Sequence, residues 1–494
     1  MAPEAAPVSR LTPDRLVLAL GLAGGLLLVF VTPPFQVPDE PAHFFRAYQV
    51  ATAAAAEPGP GGGIGYRLPA SLRQLAELCT AGVAFHPGRR LPPGLLTAAW
   101  SLPLAPERRV FMPAGSLTLY TPVPYLAAAA ALAAGRLLAL RPLALLYLAR
   151  LGNLAAALAV SWIAVRIAPA QRWLLALLAL TPMAMFERSS ASADALTDAL
   201  PLLLVSCLLS LVLRRAADPA GESHPAGSAG GSPALLLATA FLVAAAKGVY
   251  FLLDLLVFLV PPGVRAKGCA AGRARSRAVA GLWAGGLAAA VAGAGISAWV
   301  THRFANLGSP RLGVHPEAQL RGVLAAPLRF LGLAAADYVH HLPRYGAGFV
   351  GIFGWLDTPL PKPSMVLWGL LLLAAALTGG DPALALAAWQ RRLAVAVTVA
   401  VLLLLSLSQY VTWTPLGAGF VDGLQGRYFL PVAPVAAILF YNRRFAARGA
   451  GSPLPAAGAA APARPAAAGW LYGGLSVAFT VLTLLCIWFR YHGA

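Results

Sequence analysis

"RLVLALGLAGGLLLVFVTPPFQVPDEPAHFFRAYQVA", residues 15–51, passes without a break from an apolar run into a cluster of ionisable side chains. Its first part, 15–31, carries no charge beyond Arg15 and comes close to the roughly 20 residues a helix needs to cross a bilayer. "TPPFQVPDEP" follows where a signal peptide would carry a small-residue cleavage site, so the run reads as a retained membrane span. Beyond it, Asp39 and His43 are four residues apart and Arg46 lies three further on, so a helix starting here sets all three on one face. Phe44, Phe45 and Tyr48 supply an apolar side, and the pattern predicts a helix lying along the membrane at the outer end of the first span. Asp39 as an N-cap, Glu40 as complement to the helix dipole and Pro41 in the first turn would explain part of this motif. Capping needs one acid, however, and asks for neither the histidine nor the arginine. A functional site is the fuller explanation in a chain with only 18 acidic residues.

The rest of the chain repeats the first run. Of its 494 residues 59% are hydrophobic and 11% charged, against roughly 25% charged in a soluble protein. Long apolar runs near 118–138, 142–166, 194–213, 278–300, 391–410 and 469–489 alternate with shorter ones near 171–186, 233–246, 248–262, 364–379 and 428–442. The expected fold is an all-α polytopic membrane protein with about 11–13 transmembrane helices. The formal charge of +19 is topological: Arg10/Arg15, Arg136/Arg141, Arg265/Lys267/Arg273/Arg275/Arg277, Arg391/Arg392 and Arg443/Arg444/Arg448 fall on one side once crossings alternate, and the positive-inside bias makes that side the cytoplasm. A bacterial plasma (inner) membrane location with a cytoplasmic N-terminus follows, the lipid bilayer being a partner. Nucleic acid is not expected, since no basic domain with interleaved aromatics stands outside the membrane. The cysteines (Cys79, Cys207, Cys269, Cys486) are scattered, and neither a disulfide framework nor a metal knuckle is indicated. Without a P-loop or dinucleotide fingerprint, soluble nucleotide cofactors are not expected either.

On this topology residues 32–117 form a large first extracytoplasmic loop carrying interfacial helices, with helical character at 39–53 and 70–79 and irregular Gly/Pro stretches at "EPGPGGGIGYRLP" and "FHPGRRLPPG". Residues 1–442 read as one transmembrane domain, interrupted by a disordered cytoplasmic linker at 216–233, with a second linker at 443–468 and a last span at 469–494. The run 171–186 decides where Asp194 lies. As a half-helix re-emerging outside, it places Asp194 facing the first loop and Lys247 at the apex of a short helical pair. As a full crossing, it places Asp194 in the cytoplasm and Lys247 in mid-membrane. The first arrangement is preferred, because it avoids a lysine at the bilayer centre.

Two further constellations carry charge at membrane depth. In "SSASADALTDAL", residues 189–200, Asp194 and Asp198 share a helical face at the head of an apolar run, where ionisable groups are costly and usually face a polar pathway. In "TWTPLGAGFVDGLQGRYFLP", residues 412–431, Gly426 permits close backbone approach, Arg427 offers a planar fork for a phosphate and Tyr428 an aromatic wall. Pairing of Arg427 with Asp422 is the structural alternative. Arg303, Arg311, Arg321, Arg329 and Arg344 also fall in outer segments, against the charge bias, which admits an anionic ligand; Glu317 and Asp337 are their other candidate partners. Tyr120, Tyr125, Trp355 and Asp357 sit where rings prefer the interface, with Tyr120 a candidate sugar-stacking ring.

The series "PPFQVPDEPAHFFRAYQ", "LYTPVPYL", "LARLGN", "SADALTDAL", "AKGVYF", "FVGIFGWLDTPLP" and "LQGRYFLPV" resembles, in order over about 31–435, a family of bacterial multi-spanning membrane proteins without an assigned function. That family is in turn similar to the GT-C superfamily of membrane glycosyltransferases. The resemblance implies a GT-C-like catalytic domain at 1–442 that takes a polyprenyl-phosphate-linked sugar on the extracytoplasmic face and transfers it, with inversion if in one displacement, to a cell-envelope glycan or glycolipid acceptor. It implies Asp39 as the base, Glu40 as its neighbour or a metal ligand, and His43 as a donor to acceptor or phosphate. Arg46, Lys247 and Arg427 would neutralise the leaving phosphate, with Tyr120, Asp194, Gln425 and Tyr428 completing the substrate site. Many superfamily members are metal-dependent, so Mg²⁺ or Mn²⁺ held jointly by Asp39, Glu40 and Asp194 is also admitted, a choice the residues leave open. A transporter or flippase of lipid-linked sugars, or a non-catalytic envelope-assembly protein, are the alternatives. The first is disfavoured by the lack of a duplicate of "PDEPAH" in the second half.

Overall fold

A computed structural model describes residues 11–59, 64–113, 120–217, 231–261, 270–305, 313–381, 386–442, 445 and 466–493. The expected linkers 216–233 and 443–468 lie largely outside the described residues, as do Arg10, Arg265, Lys267, Cys269, Arg311, Arg443, Arg444 and Arg448.

Helix α1 (Pro13–Val31) starts with Pro13 in its first turn and ends in the Thr32-Pro-Pro turn. Its inner face is small: a Cβ on Gly25 would stand 2.4 Å from Leu154, so the missing side chain is what lets α1 close on the sixth helix. Leu18, Leu22, Leu26, Leu27 and Phe30 point outward and are exposed, a belt that is at home in lipid and not in water. The short α2 (Glu40–Thr52) leads into a small lobe of β1 (Ala56–Pro58), β2 (Ile64–Pro69), α3 (Ala70–Thr80), α4 (Leu95–Ser101) and β3 (Arg109–Pro113). The strands form an antiparallel sheet, order β1-β2-β3, with Tyr66 opposite Ala56 and Met112. This corrects the expectation that the Gly/Pro stretch is irregular throughout. On α2, Phe44 and Tyr48 are buried with Phe35, Tyr66, Leu72 and Tyr125, so the protein itself covers these two rings of the apolar side.

After a 3₁₀ turn at Val123–Tyr125 come α5 (Leu126–Leu137) and α6 (Pro142–Ile167). The run 118–138 was expected to cross. Its helix has only 12 residues, about 18 Å at 1.5 Å per residue, short of a ~30 Å core. Arg136 accordingly stays over the Tyr48 ring and Arg141 donates to the carbonyl of Trp100, both in the lobe, not at the opposite end. The lobe marks what is called here the upper end of the bundle. Helix α6 descends from it, and α7 (Arg172–Ala179) begins at the lower end, where Arg172 meets Asp14 at 2.6 Å. The chain then climbs through α7 and α8 (Pro182–Arg188), broken at Thr181-Pro182, and reaches the upper end where the Ala191 N–H donates to Glu40. Asp194 therefore lies on the same side of the bundle as the first loop, as expected, and meets Asp39 through Arg427.

Helix α9 (Asp194–Ala217) is the central strut, with 94% of its apolar window buried against 28–50% for the other long helices. Helix α10 (Pro233–Ala246) rises to Lys247, and a 3₁₀ element, Gly248–Leu259, returns. Lys247 thus caps the apex of a short helical pair at the upper end. Then follow α11 (Ala270–Ala305), α12 (Pro316–Ala325) and α13 (Pro327–Gly351), the last two bent by 106°. A β4–β5 ribbon (Ile352–Phe353, Thr358–Pro359) precedes α14 (Lys362–Thr378) and α15 (Ala388–Thr412), and the chain closes with α16 (Ala436–Leu439) and α17 (Ala466–Tyr491). By length and apolarity six helices among the described residues can span a membrane, or seven counting the bent pair, fewer than the 11–13 expected. The difference is physical: Pro122, Pro124, Pro182 and the Lys247-Gly248 break divide apolar runs into helices of 7–14 residues.

Residues 424–429 wrap against α13. A Cβ on Gly426 would stand 2.2 Å from the Tyr345 carbonyl oxygen and 2.5 Å from the Phe349 nitrogen, backbone atoms that cannot give way. The close approach foreseen for Gly426 is thus to a helix, and it seats Arg427. Gly426→Ala is expected to cost about 1–3 kcal/mol, read as a lower melting temperature in detergent; an unchanged melt would contradict the packing.

Candidate functional site

Arg427 is the meeting point of four distant segments. Its guanidinium is buried, with Nη1 3.0 Å from Glu187 Oε1 and 3.9 Å from Asp194 Oδ2, and Nη2 3.2 Å from Asp39 Oδ2. Asp194 Oδ1 in turn holds Lys247 Nζ at 3.3 Å. The Lys247 ammonium stands over the rings of Tyr120 and Tyr428, at 5.1 and 4.8 Å, and Arg427 also packs on Tyr428. Charges of this kind are retained in an apolar bundle only when paired, and here two cations are balanced by three acids. Asp422, the sequence alternative for Arg427, does not take it; the Asp422 carboxylate accepts from the Gly423 N–H.

Asp39 differs from the other two acids. Glu187 is sealed, whereas the Asp39 side chain is 57% exposed. Its backbone is left-handed, φ 62°, and its side chain makes no cap to α2, so the capping explanation fails for the residue best placed to cap. A non-glycine residue in this region carries strain that surrounding structure must hold, and the result aims the carboxylate at Arg427.

His43, one turn along α2, lies 4% exposed with Nδ1 2.9 Å from the Tyr125 hydroxyl and its ring stacked on Tyr120. Burial above all holds its pKa down at about 4, the pull of Asp194 and Asp39 upward being opposed by Arg427 and Lys247. The imidazole is therefore neutral at neutral pH and available as acceptor or donor. An unfolded chain protonates this histidine near 6.5, so folding stability drops as pH falls from 6.5 towards 4. His43→Gln should flatten that part of the pH–stability curve; an unaltered slope would contradict the burial.

Two expected site residues are placed elsewhere. Arg46 turns to the Tyr66 hydroxyl and the Tyr120 carbonyl, tying α2 to β2 and the start of the next segment. Glu40 is fully buried and accepts from Arg150 Nε and Nη2 (2.7 and 2.6 Å), the Phe35 N–H and the Ala191 N–H. With both oxygens saturated it anchors the turn and takes no part in the Arg427 cluster. Nor do the residues fit the admitted cation: no cluster of three or more ligating side chains occurs among the described residues, and Asp39 and Asp194 are already held by Arg427 and Lys247. Gln425, in the turn before Arg427, keeps a buried Oε1 without a partner. Asp198 is buried one turn below Asp194, outside the Arg427 cluster, beside Arg188.

Sequence reading assigned no role to Glu187 or Arg150. Both had a signal, a charge set within an apolar run, in "PMAMFERSS" and "LYLARLGN". Since Glu40 and Arg150 are both wholly buried, Glu40→Gln or Arg150→Met alone should cost about 3–5 kcal/mol and the apolar double variant Glu40→Leu/Arg150→Met clearly less than their sum. Thermal unfolding of the four proteins checks this.

A bundle of apolar helices with a cluster of paired charges gathered at one end defines a polytopic helical membrane protein with a polar site at the bundle's mouth. The chain belongs to the DUF2142 family of predicted membrane proteins, whose model matches residues 22–436. No curated protein and no solved structure matches it.

Proposed function

We propose that the protein is a membrane glycosyltransferase that moves a sugar from a polyprenyl-phosphate donor to a cell-envelope glycan or glycolipid acceptor on the extracytoplasmic face, with inversion. The observation that carries this reading is the pairing of an exposed carboxylate, Asp39, with a buried guanidinium, Arg427, beside a second cation, Lys247. In the transfer, an acceptor hydroxyl attacks the anomeric carbon, the bond from that carbon to the donor phosphate oxygen breaks, and the hydroxyl proton passes to Asp39. Arg427 and Lys247 take up the negative charge that grows on the departing lipid phosphate, the electrostatic contribution that is usually largest in such reactions. Asp39 leaves Arg427 for the acceptor as the phosphate arrives, while Glu187 and Asp194 stay to hold the two cations in place.

His43 stands close enough to serve as a neutral hydrogen-bond partner, and Tyr120 and Tyr428 offer faces for a sugar ring. Asp39→Asn is the test, in purified protein supplied with a panel of polyprenyl-phosphate sugars and membrane acceptors. Transfer should fall about 10²–10⁴-fold with the melting temperature nearly unchanged, since the residue is exposed. Full turnover by the variant overturns the mechanism, and sugar translocation without transfer overturns the enzyme class.

A further inference from the structure

Beside Arg427 an open cleft, enclosing about 440 Å³ of empty space with open solvent counted, lies between α13 and residues 424–427; Asp39 does not line it. Its polar lining is Arg344, Tyr345, Gln425 and Arg427; Met183, Ile352, Leu356 and Leu424 supply an apolar wall. Three observations give this cavity a chemistry. Arg427 spends Nη1 and Nη2 on acids, but its buried Nε has no partner. Gln425 Oε1 is also buried without a donor. Arg344 is exposed and stands on the cavity wall, a cation with room to meet an occupant. The buried acid of its helix, Asp337, is taken by His341 and by the Tyr345 hydroxyl, at 2.9 and 2.6 Å.

An occupant that answers all three must bring an anion to two guanidinium groups and a hydroxyl to an amide oxygen, since leaving a buried polar atom unmet costs more than the bond returns. We propose that this cavity binds a phosphate-bearing polyol headgroup, a phosphosugar or phosphoglycerol, with Arg344 and Arg427 on the phosphate and Gln425 Oε1 accepting from a hydroxyl. Its place in a transfer, as donor or acceptor pocket, rests on the glycosyltransferase reading. The site itself does not. Tyr345 forms part of the wall, and the Asp337 carboxylate fixes that ring through its hydroxyl.

Binding of three lysolipids to the purified full-length protein tests it: lysophosphatidylglycerol, with phosphate and hydroxyls; lysophosphatidic acid, with phosphate and a single backbone hydroxyl far from the headgroup end; and lysophosphatidylcholine, whose headgroup charge is cancelled. The wild type should prefer the glycerol headgroup. Arg344→Gln should weaken both anionic lipids about tenfold or more, whereas Gln425→Leu should weaken lysophosphatidylglycerol and leave lysophosphatidic acid within about twofold, a split that a structural defect would not produce. Arg321→Gln, an exposed arginine on α12 that does not line the cavity, should bind as the wild type does. Competition by glycerol phosphate at the lipid's own potency supports the site with a soluble source; a strong preference for the lipid supports it with a membrane source. Equal affinity for the choline and glycerol lipids, no loss in Arg344→Gln, or parallel losses in Gln425→Leu overturn it. If Asp39→Asn turns over fully while Arg344→Gln still loses binding, the transfer reading falls and this site stands.

Discussion

Arg150 is the side chain on which the upper end of the molecule depends. All five of its N–H donors are used: Nε and one of Nη2 on Glu40, the other Nη2 on the Pro33 carbonyl, and both of Nη1 on the carbonyls of Val29 and Thr32. Those carbonyls belong to the frayed end of α1, where a helix leaves its last acceptors without partners. One guanidinium therefore ends the first span, fixes the turn that follows it and holds α2 through Glu40, while Glu40 also takes the N–H of Ala191 ahead of α9. Asn153, one turn along α6, donates to the carbonyls of Ser190 and Ser192 and secures the other side of the same loop. A buried ion pair adds little stability over an apolar replacement, but this one sets where the chain goes, because its hydrogen bonds have fixed directions.

The consequence is seen one residue away. With Glu40 pinned inward, Asp39 is forced to the opposite side of the turn, in a left-handed backbone, and its carboxylate emerges exposed beside Arg427 instead of folding back over the helix. The acid pair at 39 and 40 is thus divided between two tasks, one anchoring and one facing the site. Glu187 and Asp194 do the same for the cations, holding Arg427 and Lys247 at the mouth of the bundle, where neither could remain charged alone at reasonable cost. The aromatic rings of Tyr120 and Tyr428 complete the enclosure of Lys247. Such a cluster is stiff where it is buried and open only at Asp39 and towards the cleft beside Arg427.

The arrangement also accounts for the broken helices. A segment made of two short helices, α7 and α8, brings Glu187 and Arg188 to their level and then turns without regular structure into α9; a continuous helix there would leave no loop for Glu40 and Asn153 to hold. The apex at Lys247 between α10 and the 3₁₀ element plays the same part on the other side of Asp194. Irregular backbone at this depth is tolerable because it is covered by protein and bonded by buried side chains.

Apolar runs long enough to reach across a bilayer carry their own signal, since length and hydropathy are local properties. Six of the seven long runs became helices of the expected extent, and α2 and α3 began where proline and polar punctuation placed them. Asp39, His43, Asp194, Lys247 and Arg427 were each legible as a charge where charge is expensive. Which charges pair was not legible, because pairing depends on segments up to 388 residues apart: Glu40 and Asp39 look equivalent side by side, and only Arg150 distinguishes them. The breaks in the shorter apolar runs were hidden for a related reason. How long a helix 118–138 or 171–186 forms depends on where proline breaks it and on what its ends touch, and a run of apolar residues reads the same in either case.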